Sequence, residues 1–158
     1  MATVQPIPDG YHSLTPHLIV KGGAEAIAFY QTAFGAEELM RMPSPDGRTL
    51  LHAEVRIGDS VLMLCDEMPE VGSTSPLTHG GATGIHLYVE DVDAVFAQAV
   101  EAGATVKMEP QDMFWGDRFA KVTDPFGYIW GIATHKQDLT PEEVRAAAKV
   151  HMSPGSDA

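Results

Sequence analysis

Apolar and polar residues alternate from position 84 and then change period. Ile85, Leu87 and Val89 alternate with His86 and Tyr88, the period of two expected of a half-buried strand. Val92, Val95, Phe96 and Ala99 then recur at helical steps, with Asp91 placed to cap the helix and Gly103 to stop it. An earlier stretch has the same order. Pro-His-Leu-Ile-Val from Pro16 is followed by Lys21-Gly22-Gly23, then by a helix whose apolar residues include Ile27, Phe29, Tyr30 and Phe34, and then by Gly35-Ala36. His17 precedes Val20 as His86 precedes Val89. The valines lie 69 residues apart and Gly35 and Gly103 lie 68 apart. That near-constant offset marks an internal duplication.

The remaining pattern completes each repeat. Strands are predicted at 15–20, 37–42, 51–57 and 61–65, with the first helix at 23–34. The second half gives strands at 84–90, 104–109, 114–123 and 128–134, with a helix at 91–102. Pro43-Ser44-Pro45-Asp46-Gly47 and Asp124-Pro125-Phe126-Gly127 are turn signals. The fold class is therefore α+β, two βαβββ modules in tandem. Residues 1–13 form a leader, 14–66 the first module, 67–83 a linker rich in Gly, Ser and Pro, and 84–135 the second module. Residues 136–158 give a C-terminal helix and tail, the helix announced by the capping box Thr140-Pro141-Glu142-Glu143 and expected to run to about 150. From Ser153 onward a disordered end is expected.

Composition narrows the functional classes. A chain of 158 residues fits one domain. Its formal charge of −12 opposes binding to nucleic acid and to anionic membrane surfaces. No apolar run reaches a spanning length, and no basic-then-apolar targeting segment opens the chain. Cys65 is the lone cysteine, which excludes an intrachain disulfide and suits a cytoplasmic location. Its apolar neighbourhood makes it a core residue rather than a nucleophile.

Ala-Ile-Ala-Phe-Tyr in the first helix, Asp-Pro-Phe-Gly-Tyr before the last strand and the paired modules resemble the vicinal oxygen chelate superfamily, which includes glyoxalase I, extradiol dioxygenases and bleomycin-resistance proteins. Gly-Ala-Glu-Glu-Leu, Arg-Ile-Gly-Asp-Ser and Leu-Tyr-Val-Glu-Asp-Val-Asp are most similar to its PhnB-like branch. The resemblance implies a cup-shaped mixed sheet, a homodimer, and a divalent metal held by the first and last strands of each module. Those metal positions fall on Thr15, Met63, Gly84 and Gly131. None offers imidazole or carboxylate, so no metal is expected there.

Strand parity nominates other cup-lining residues. His17, His52, Glu54 and Arg56 share one face of the first module, and His86, Tyr88, Trp115 and Phe119 one face of the second. His17, His52, Glu54 and His86 could supply a relocated site for Mn, Ni, Zn or Fe. His52 with Glu54 is the acid–base pair on offer, and Trp115 and Phe119 could stack on a planar ligand. His12, His79, His135 and His151 are expected to be exposed. Met40, Met42, Met63 and Met68 read as core or flap filler. Two functions compete: a protein that binds a small aromatic or cationic molecule without the family metal, and a metal-dependent lyase, isomerase or dioxygenase. A metal-free acid–base enzyme built on His52 and Glu54 is a third.

Overall fold

In the computed structural model, which describes residues 4–81 and 83–151, helix α1 (Gly23–Phe34) lies between two left-handed glycines, Gly22 at φ 99° and Gly35 at φ 67°. Its N-terminus meets a buried carboxylate: Gly22 and Gly23 donate backbone N–H groups to Asp66 Oδ1 at 3.0 and 2.8 Å, and Leu50 donates to Oδ2 at 2.7 Å. A side chain at Gly23 would press on Asp66 at 3.0 Å and Leu50 at 3.1 Å, which accounts for the second glycine. After α2 (Pro76–His79) comes the counterpart of α1, helix α3 (Val92–Ala102). Asp91 caps it by accepting from Ala94 N–H at 3.0 Å, and Val92 N–H donates to Thr134 Oγ1 at 2.8 Å.

Each helix is followed by three strands. The first sheet holds β1 (His17–Val20), β2 (Glu37–Pro43), β3 (Leu50–Ile57) and β4 (Ser60–Asp66) in the order β1-β4-β3-β2. The second holds β5 (Gly84–Tyr88), β6 (Thr105–Asp112), β7 (Asp117–Thr123) and β8 (Ile129–His135) in the order β5-β8-β7-β6. β1 pairs parallel with β4 and β5 with β8; the other pairs are antiparallel. The tandem βαβββ architecture is as expected, realised as two four-stranded mixed sheets.

Both helices sit on one face of their sheets and share a core. Gln98 of α3 donates to the Ala33 carbonyl of α1 at 3.0 Å, and Phe29, Tyr30 and Phe34 pack with Phe126 and Trp130 at centroid distances of 4.5–6.2 Å. Burial of rings like Tyr30 and Trp130 contributes roughly 1.5–3 kcal/mol each. Asp124, the acid of the Asp-Pro-Phe-Gly-Tyr turn, fastens the modules together. Its Oδ2 accepts from Tyr30 hydroxyl at 2.7 Å and Trp130 Nε1 at 2.9 Å, and its Oδ1 accepts from the Phe126 and Tyr128 amides, both at 2.9 Å. Burial raises the Asp124 carboxyl, and these donors pull it back. Tyr128 reaches the free edge of β1, accepting from Ile19 N–H at 3.0 Å and donating to Ile19 O at 2.8 Å.

Several boundaries differ from the sequence pattern. β1 starts at His17 because Pro16 lacks an N–H and Thr15 instead bonds the His12 carbonyl at 3.1 Å. A register shift in β2–β3 turns Leu51 outward, 39 % exposed, and Leu50 takes its core position. β6 runs on to Asp112, and residues 113–116 form the turn before β7, with Gly116 at φ 99°. In the linker, Glu67 accepts from Ser75 N–H at 2.8 Å and from Thr78 hydroxyl, which lowers its carboxyl to about 2. α4 (Pro141–His151) carries the capping box, Thr140 N–H donating to Glu143 Oε2 at 2.7 Å. The tail expected to be disordered lies outside the described residues. No described helix is long and apolar enough to cross a membrane.

Candidate functional site

The face of each sheet away from the helices carries the candidate residues, and register makes the two faces comparable position by position. His17 pairs with Met63 and Met63 with Glu54; His86 pairs with Gly131 and Gly131 with Lys121. One step along, His52 in the first module corresponds to Phe119 in the second.

The first half-cup is polar. His52 Nε2 lies 3.0 Å from Glu54 Oε1, and the hydroxyl of Tyr11 donates to Glu54 Oε2. The ring of His17 stands 6.1 Å from that of His52. The Tyr11 hydroxyl, then His52, hold the Glu54 carboxyl below its usual value, and the Tyr11 phenol is raised in return. Burial, then His52, lowers His17. The set is an ionised carboxylate bearing a phenol and an imidazole, groups whose chemistry suits proton transfer. Tyr11 comes from the leader, where the sequence shows only a turn, and no periodicity points to it. Arg56 stays out of this cluster: its guanidinium pairs with Glu37 on the edge strand β2.

The second half-cup is aromatic. Trp115, Phe119, His86 and Tyr88 follow one another at ring-centroid distances of 5.7, 5.7 and 4.6 Å, with Phe119 and His86 only 8° from parallel. Phe119 is buried beneath its neighbours, while His86 and Tyr88 are exposed. Gly131 makes this stack possible. A Cβ there would meet Phe119 at 2.8 Å and His86 Nδ1 at 3.3 Å. His135, expected only to be exposed, is also held: its Nδ1 lies 2.8 Å from Asp117 Oδ1 and its Nε2 3.0 Å from Asp138 Oδ1. These contacts, Asp117 first, raise its pKa. Shared face parity of Asp117 with Phe119 is the one sequence signal that points to this cluster.

Between the modules lies a cavity of about 450 Å³, lined by Thr15, Pro16 and Val61 on one side and Ile85, His86 and Tyr88 on the other. The structure thus brings His17, His52 and Glu54 together on one sheet and His86, Tyr88, Trp115 and Phe119 together on the other. The family metal does not fit its four positions. Thr15, Met63 and two glycines offer no imidazole or carboxylate, and the space above Gly131 is taken by the Phe119 ring. Among the described residues, no three His, Cys, Asp or Glu side chains are grouped to hold an ion. Cys65 is buried, and burial pushes its thiol up, as for a core residue.

Two tandem βαβββ modules, each with a sheet face turned away from its helix, define the fold class of the vicinal oxygen chelate proteins. The chain belongs to the Glyoxalase/Bleomycin resistance protein/Dioxygenase superfamily, whose model matches residues 11–132. An uncharacterized protein of Mycobacterium bovis, Mb0911c, is 45% identical over 139 residues, which span 85% of this chain and 91% of the relative. Among solved structures, TioX from a Micromonospora species is 26% identical with a TM-score of 0.64, over 78% of this chain and 98% of that one. TnmS3, an antibiotic binding protein from a Streptomyces species, is 27% identical with a TM-score of 0.58, over 84% of this chain and all of that one (100%).

Proposed function

We propose that this protein binds a small aromatic or cationic molecule against the aromatic half-cup, without the family metal. The observation that carries the reading is the stack of Phe119 and His86 over Gly131, which puts rings where the family would put a metal ligand. His86 and Tyr88 border the cavity between the modules, so a planar ligand stacked on them would reach into it. The net charge of −12 favours a cationic one. The likeness to an antibiotic binding protein supports binding without chemistry. A cytoplasmic location, membership of the PhnB-like branch and a homodimer belong to the same proposal. In the dimer a second copy covers the Leu39, Met40 and Met42 strip on β2, all 40–46% exposed. Sedimentation at micromolar concentration checks the dimer, which a monomeric mass would exclude.

The test is titration calorimetry with metal-free bleomycin and with ethidium, a planar cation, in EDTA. Saturable heat at one site per chain is expected. Heat that develops only after Mn, Ni, Zn or Fe(II) is added would replace this reading with the metal-dependent enzyme.

A second reading has its own observation, the Tyr11–Glu54–His52 chain of hydrogen bonds. It makes the first half-cup a metal-free acid–base site. If so, His52→Ala removes a pH-dependent turnover that EDTA leaves untouched.

A further inference from the structure

Asp117 is a carboxylate only 4% exposed, and three elements converge on it. Its Oδ2 accepts from Tyr88 hydroxyl on β5 at 3.1 Å and from Trp115 Nε1 in the β6–β7 turn at 3.2 Å, while His135 at the end of β8 meets Oδ1 at 2.8 Å. Tyr88 and Trp115 are the two ends of the aromatic row, so a single carboxylate sets both. We propose that Asp117 is the positioning residue of the aromatic half-cup, with His135 balancing its charge from the solvent side. The inference rests on that half-cup being the ligand wall.

Chemistry supports the division of labour. Both nitrogens of His135 face carboxylate oxygens, which accept but do not donate, so both contacts are hydrogen bonds only when the ring is protonated. A buried carboxylate without a counter-charge is costly, and no other cation is hydrogen-bonded to Asp117 among the described residues. Arg118 is engaged by Asp93 and Asp112. Glu90 shares a neighbouring cavity with His135, Asp138 holds its Nε2, and Lys136 follows it in the chain. Burial, then the bond to Asp117, raises the Tyr88 phenol, so it remains a donor. As pH rises through the raised pKa of His135, the ring loses its charge, Asp117 loses its balance, and the hold on Trp115 and Tyr88 changes with it.

Two measurements test this, the first with no ligand present. In a nitrogen-15-labelled sample, the indole N–H resonance of Trp115, distinguished from that of Trp130 by Trp115→Phe, is followed from about pH 6 to about pH 9. It is expected to move with the midpoint of the His135 ring signals and to stay still in Asp117→Asn, whose amide can still accept from both rings. An indole resonance that ignores the His135 titration in the wild-type chain overturns the proposal, whether or not any ligand is found. The second measurement is ethidium affinity. Asp117→Ala is expected to weaken it about tenfold or more, while Asp117→Asn retains it and loses the pH dependence. Equal loss in both variants would make Asp117 an ordinary structural residue. Absence of ethidium binding to the wild type counts against the ligand wall, while the indole titration still decides whether Asp117 positions the row.

Discussion

The same register carries His17, Met63, Glu54 and His52 in the first sheet and His86, Gly131, Lys121 and Phe119 in the second. Duplication has kept the scaffold and changed the face. One histidine survives at each first strand, yet it lies near a second imidazole in one half and stacks on a phenyl ring in the other. The helix ends show the same drift beneath a common solution. Asp66 and Thr134 sit at corresponding strand ends and both accept from the first turn of their helix, but Asp66 takes three backbone N–H groups and Thr134 one. A fold that buries its core on one side of each sheet leaves the other side free to diverge, and here it has diverged into a polar half and an aromatic half.

Substitution should do most harm where the halves are tied. Asp124→Ala strands the Tyr30 hydroxyl and Trp130 indole in the interior, and chemical denaturation should show a loss of about 3 kcal/mol. A loss no larger than that of an exposed substitution would mean that the modules are not joined there. Next come the corresponding caps. Asp66→Ala should cost about 2 kcal/mol and Thr134→Val about 1 kcal/mol, and equal costs would erase the asymmetry. At the corresponding positions Gly131 and Met63, alanine should act in opposite ways on the faces. Gly131→Ala pushes on Phe119 and should cost about 1–2 kcal/mol and unstack His86, visible as a changed aromatic NMR spectrum. Met63→Ala should leave those aromatic signals in place. The smallest effect concerns Glu67. Its depressed pKa means that its bonds to Ser75 and Thr78 stabilise above the unfolded carboxylate range and are lost as pH falls toward about 2. Exchange protection of the Ser75 amide should fall over that window and stay flat in Glu67→Gln.

Much of this is legible in the chain. Alternation places Ala53, Val55 and Ile57 inward and His52 and Glu54 outward, because a strand has only two faces. Caps such as Asp91 and Gly103 are legible because their role is local. Leu51 escapes simple alternation with Ala53, Val55 and Ile57 because a register shift depends on the partner strand. Tyr11 and the His135–Asp117 contact escape the pattern for a related reason. A leader residue meets Glu54, and the end of β8 meets the start of β7, only after the sheets exist, and nothing in the local pattern encodes those meetings.

In this account the second half-cup, and not the first, receives the ligand. Calorimetric titration of ethidium into EDTA-treated protein tests that most directly when His86→Ala and Trp115→Ala are compared with His52→Ala and Glu54→Gln. Loss of about tenfold in affinity for the first pair, with the second pair unchanged, is the predicted result. Full affinity in His86→Ala and Trp115→Ala with loss in His52→Ala would contradict it.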